Sequence, residues 1–101
     1  MLEIEFTFWI SDTVHGVIKF VTKKGDVIGF VVRLRAYIDN QWREIRRYDT
    51  THGTPHIDVL NWRGKTIEKI WMPHSAVDEA LTFAQNDIKL NYKTYIKRFL
   101  K

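Results

Sequence analysis

An α+β domain is expected, with an antiparallel β-meander of about six strands and one long C-terminal helix packed on one face. Three observations predict it. Apolar and polar residues alternate with period two through much of residues 2–72. Clusters of Gly, Asp, Asn and Ser interrupt that alternation at short intervals. From about residue 75 to 100 the apolar period changes to three or four. A chain of 101 residues is one domain, 1–101, large enough for one core but not for two.

In the first segment Leu2, Ile4, Phe6, Phe8 and Ile10 alternate with Glu3, Glu5, Thr7 and Trp9, the pattern of a half-buried strand. Ser11-Asp12-Thr13 turns the chain, and Val14–Thr22 reads as the second strand. Lys23-Lys24-Gly25-Asp26 is a short hairpin loop whose glycine is available for positive φ. Val27–Ile38 is the longest strand candidate, and its nearly continuous apolar centre, Ile28 to Leu34, places it centrally in the sheet. Gly29 within it marks a bulge or a close backbone approach.

After Asp39-Asn40-Gln41, a fourth strand covers Trp42–Asp49. Strict alternation puts Trp42, Glu44, Arg46 and Tyr48 on one of its faces and Arg43, Ile45, Arg47 and Asp49 on the other. The loop Thr50–Thr54 leads to a fifth strand, Pro55–Asn61, in which His56 and Asp58 face away from Ile57 and Val59. Trp62-Arg63-Gly64 closes a hairpin into the sixth strand, Lys65–Trp71. Met72-Pro73-His74 ends the sheet, and Ser75 with Asp78 resembles a capping box. Val77, Leu81, Ala84, Ile88, Tyr92, Tyr95 and Phe99 then form the apolar stripe of a helix about 37 Å long. Lys89, Lys93 and Lys97 fall on another stripe at four-residue spacing. One helix covers one face of the sheet, which leaves the other to solvent, a partner subunit or a substrate.

Composition narrows the function classes. The hydrophobic fraction is 45% and the aromatic fraction 14%, which argues for a folded globular chain. The absence of cysteine excludes a disulfide scaffold and any thiolate zinc site. No apolar run approaches the roughly 20 residues of a membrane span. The start, MLEIEFTFWI, lacks a basic n-region, so no signal peptide is expected and the chain is placed in the cytoplasm. A net charge of +4 and a pI of 9.5 suggest an anionic partner, with nucleic acid first. There is no dinucleotide fingerprint, P-loop or nucleophile elbow, and no cofactor is expected.

Residues 46–58, RRYDTTHGTPHID, hold the densest set of reactive side chains. His56 and His52 could share general acid and base duties, with Asp49 or Asp58 orienting an imidazole. Tyr48 could donate a proton or stack on a base. Arg46 and Arg47 offer bidentate donors for phosphate, and Arg43, Lys89, Lys93 and Lys97 extend the cationic set. These are the parts of a metal-independent ribonuclease. Asp49, His52, His56 and Asp58 could also ligate Zn²⁺ or Mn²⁺, but their spacing matches no metal signature and no metal is assigned. The bland reading of the same residues is a turn-forming loop flanked by solvated cross-strand ion pairs. Likewise the lysine stripe reads first as a solvated helix face, and at least two of the four tryptophans as core or interface anchors.

RRYDTTHGTPHID resembles the YD-x-x-x-G-x-x-H segment of small prokaryotic proteins related to the TumE-like toxins of toxin–antitoxin systems. The match falls on Tyr48, Asp49, Gly53 and His56, with Arg47 preceding. The C-terminal segment ALTFAQNDIKLNYKTYIKRFL looks like the terminal helix of an uncharacterised relative of that group. Family toxins often carry a second histidine two residues after the first, where this chain has Asp58. The resemblance implies a toxin-type activity on RNA and a cognate antitoxin as partner. The alternative is a non-catalytic module whose open sheet face binds protein or nucleic acid, or forms a homodimer.

Overall fold

The alternating segments fold as six strands, β1 (Leu2–Ser11), β2 (Val14–Lys23), β3 (Asp26–Ile38), β4 (Gln41–Asp49), β5 (His56–Leu60) and β6 (Thr66–Trp71). They form one antiparallel sheet in chain order, a meander, followed by the helix α1 (Val77–Phe99). The structure is a computed structural model and describes residues 1–51 and 53–101. The expected class and element order are those observed.

Two hairpins take the turn that suits a right-twisted sheet, with positive φ at both central residues. These are Lys24 (φ 52°) with Gly25 (φ 86°), and Asp39 (φ 52°) with Asn40 (φ 65°). The register shift between Val21 and Thr22 leaves Ile28 as an extra residue beside Gly29, so the expected irregularity is a bulge.

A second bulge matters more. Leu34 pairs with Arg46 while Arg35 pairs with Glu44, so Ile45 is the extra residue in β4. Strict alternation therefore fails there. Ile45 is buried in the core with Tyr48, and Arg46 shares that side, whereas Glu44 joins Arg47 and Asp49 on the open side. A third bulge in β6, at Ile67, keeps Lys69 in step with Asp58.

Helix α1 lies over β3 and β4. Ala80, Leu81, Ala84, Ile88 and Phe99 pack on Ile18, Val32, Leu34, Ile45, Tyr48 and Ile57. Burying the leucine, isoleucine, valine and phenylalanine side chains among them stabilises the fold by about 1.5–3 kcal/mol each. The helix starts one residue later than the Ser75–Asp78 pattern predicts. Its N-cap is Ala76, whose backbone N–H donates to Glu79 Oε1 at 3.2 Å. At the same three-residue spacing the longer Glu79 side chain closes the gap to the N-cap N–H, so the box sits one position on from Ser75–Asp78.

Candidate functional site

Register alone assembles the open-face site. Across the strands, Glu5, Lys19, Val31, Asp49, His56 and Trp71 form one row, and Thr7, Val17, Arg33, Arg47, Asp58 and Lys69 the next. Same-face neighbours in adjacent strands stand about 5 Å apart, so their side chains meet. Strands β4 and β5 both have neighbours on either side, and the polar residues they give to these rows are largely buried: His56, Asp49 and Asp58 are 2%, 5% and 4% exposed.

His56 lies at the centre. Its Nδ1 is 3.0 Å from the Thr54 carbonyl oxygen, so Nδ1 carries a hydrogen and donates it. Its Nε2 is 3.0 Å from Asp49 Oδ1 and 3.6 Å from Asp58 Oδ2. With Nδ1 committed as a donor, Nε2 meets a carboxylate attractively only when it too bears a hydrogen or a cation. The Trp71 ring, half exposed, flanks the imidazole at 4.9 Å. Asp49 Oδ1 also caps the loop by accepting the Thr51 N–H at 2.9 Å.

Arg47 spans both carboxylates, with Nε 3.4 Å from Asp49 Oδ2 and Nη2 3.5 Å from Asp58 Oδ2. Its Nη1 is 3.1 Å from Glu44 Oε2, and Glu44 in turn holds Arg33 Nε at 2.8 Å. Lys69 Nζ stands 3.5 Å from Asp58 Oδ1. These groups line an open concavity of about 340 Å³. One ligand atom each from Asp49, His56 and Asp58 falls within 4.8 Å of the others, a grouping that could take a divalent cation. Arg47 and Lys69 stand beside the same two carboxylates and offset their charge.

Of the residues singled out in the sequence, the fold thus unites Asp49, His56, Asp58 and Arg47. His52 lies outside the described residues. Arg46 and Tyr48 face the helix instead. Tyr48 is 1% exposed and donates to Asp87 Oδ2 at 2.5 Å, and Arg46 Nε donates to the Tyr48 oxygen at 3.1 Å. Tyr95 and Asn91 donate to Asp87 Oδ1 at 2.8 and 2.9 Å, and the Arg46 guanidinium lies 3.9 Å from the Tyr95 ring centre. Burial, with the bond to Asp87, pushes the Tyr48 phenol far above its ordinary value, so it is no proton donor to a substrate at neutral pH. Arg43 is turned away as well, donating Nη1–H to the Trp62 carbonyl at 2.9 Å. Lys89, Lys93 and Lys97 are exposed on the helix, across the sheet from His56, as a solvated face.

Sequence reading passed over three participants. Lys69 and Arg33 enter through register, which no local pattern reveals. Asp87 carried a legible signal, a carboxylate among the apolar positions 84, 88, 92 and 95 of the helix stripe. A larger cleft of about 380 Å³ opens beside the end of α1, where Arg46, Tyr95, Arg98 and Phe99 meet Leu60 and Trp62. The His56 cluster is not part of it.

No helix among the described residues is long and apolar enough to cross a membrane. The sequence profile of one family, a domain of unknown function (DUF7718), matches residues 1–101, so the chain belongs to that family. No curated protein and no solved structure matches it.

Proposed function

We propose that this member of the DUF7718 family is a small cytoplasmic protein directed at RNA, a toxin-type ribonuclease that works without a metal and is paired with an antitoxin. One observation carries the reading. His56 is held from behind by the Thr54 carbonyl and from the sides by Asp49 and Asp58, while Arg47 and Lys69 share its concavity. An oriented imidazole beside cations suits proton transfer at a phosphodiester. The toxin half of the proposal is supported by the RRYDTTHGTPHID segment and the C-terminal helix pattern.

A phosphodiester drawn to Arg47 and Lys69 places its leaving oxygen toward His56. The 2′-oxygen attacks phosphorus and the bond from phosphorus to the 5′-oxygen breaks. Nε2 of His56 gives its proton to that oxygen, and the 2′-hydroxyl proton passes to a base, a role that sequence assigns to His52. The products are a 2′,3′-cyclic phosphate and a free 5′-hydroxyl, and the bond from Nδ1 to the Thr54 carbonyl holds the ring throughout.

The test is incubation of the purified protein with end-labelled single-stranded RNA in excess chelator, with analysis of the product ends. Cleavage that persists and leaves cyclic phosphate supports the reading. Cleavage abolished by chelator and restored by Mn²⁺ would move the chemistry to a cation between Asp49, His56 and Asp58. Intact RNA under all conditions would leave the open face as a non-catalytic interface.

A further inference from the structure

The open face carries a second cluster that the His56 chemistry does not use. Its next row is Trp9, His15, Arg35 and Glu44. His15 stacks on Trp42 with ring centres 4.1 Å apart and planes 14° from parallel. Trp9 meets His15 edge-on at 4.7 Å, and Tyr37 closes on Trp42 at 5.5 Å. Three features set this cluster apart from a small satellite core. Trp9 is 62% and Tyr37 43% exposed, a large apolar area to leave in water. His15 is 6% exposed, and both of its buried ring nitrogens have no hydrogen-bond partner among the described residues. Such groups are rare and costly unless something else satisfies them. Finally, the Arg35 guanidinium lies 5.8 Å from the Trp42 ring centre and has no carboxylate within ion-pair distance among the described residues.

We infer that Trp9, His15, Tyr37 and Trp42 form a base-binding subsite for single-stranded RNA, from which the strand runs over Arg35, Arg33 and Arg47 to His56. The inference rests on the RNA reading above and names how the substrate is held. Charge complementarity selects the occupant. A diagonal from His15 to His56 crosses three strand spacings and two rows, about 20 Å in all, and cations lie along it. That distance exceeds one nucleotide, so a base at the aromatic end and a phosphate at His56 belong to different residues of one strand. Aromatic platforms with interleaved arginines bind single strands because every base offers a π-face. A double helix does not fit the arrangement, since its bases are already stacked.

The experiment measures anisotropy of a labelled 12-nucleotide RNA bearing 2′-O-methyl groups, whose blocked 2′-oxygen cannot attack. Wild type is compared with Trp9→Ala, Trp9→Phe, Tyr37→Ala and Arg35→Ala. Trp9→Ala and Tyr37→Ala are expected to weaken binding about 5- to 100-fold, with Trp9→Phe largely restoring it. An abasic oligomer of equal length should bind wild type as weakly as the full RNA binds Trp9→Ala. Because Trp9 is on an exposed edge strand, its variants keep the wild-type circular dichroism. Should wild type cleave RNA while these variants bind as tightly as wild type, the subsite falls and the ribonuclease reading stands. Absence of both binding and cleavage in wild type would overturn both. Wild type sedimenting as a dimer and Trp9→Ala as a monomer would mark the cluster as a protein interface and overturn the subsite.

Discussion

Tyr48 and Asp49 are neighbours in the chain but belong to different chemistry. Asp49 faces His56 on the open side, and Tyr48 anchors Arg46 and Asp87 beneath the helix. Tyr48→Phe removes a hydrogen bond to a buried carboxylate and should cost about 1.5–3 kcal/mol, read as a lower urea midpoint. Burial of that phenol, with the bond to Asp87, fixes an alkaline limit. The folded Tyr48 and Tyr95 phenols ionise above the ordinary value of 10.0, raised first by burial and then by Asp87. The folded state therefore holds protons that the unfolded chain releases, and stability present below pH 10.0 is lost as pH rises past it. Alkaline unfolding followed by circular dichroism should be less steep in Tyr48→Phe.

His15 sets a limit of opposite sign. Burial first, and Arg35 second, lower its pKa below 6.5, so the unfolded chain binds a proton that the folded state refuses. Its contribution is complete above pH 6.5 and declines as pH falls through that value toward the folded pKa. His15→Phe, which keeps a ring against Trp42, should flatten the melting temperature between pH 7 and 5. An unchanged slope would contradict the assignment.

At the scale of the elements, single extra residues and single small ones decide which side chains meet. Ile45, the extra residue in β4, is what sets Glu44 and Arg47 on one face and allows Arg33, Glu44 and Arg47 to link. Strand pattern shows where β4 lies but not where alternation slips, because a bulge is selected by tertiary packing of Ile45 into the core. Gly16 is the corresponding case in β2. A Cβ there would lie 2.1 Å from Phe8 Cζ on the paired strand, so glycine makes room for that ring. Gly16→Ala should destabilise by about 1–3 kcal/mol in a denaturant melt. Adding Phe8→Ala should cost less in that background than alone, a coupling that a cycle of the two mutations measures.

For the molecule as a whole, the architecture was legible and the site only half so. Period-two segments separated by Gly25, Asp39-Asn40 and Gly64 dictate a meander, and the amphipathic stripe from Val77 to Phe99 dictates its one-sided cover. The pairing of His56 with Asp58 on one face follows from alternation in β5. The approach of Asp49 and Arg47 to His56 needs the β4–β5 register, and Lys69 needs the next. Arg46 and Tyr48 illustrate the reverse. They are reactive types within the same thirteen residues, yet Asp87, 39 positions beyond Tyr48, draws them to the helix side.

The two faces make the central claim testable by contrast. His56 belongs to the open face and Tyr48 to the core, so one change should remove chemistry and the other stability. The decisive measurement is the rate of RNA cleavage by His56→Ala relative to wild type, with both shown to be folded by circular dichroism. The account predicts a fall of about 10²–10⁴-fold, with Tyr48→Phe retaining the wild-type rate below its melting temperature. A His56→Ala protein that cleaves RNA as fast as wild type would contradict it.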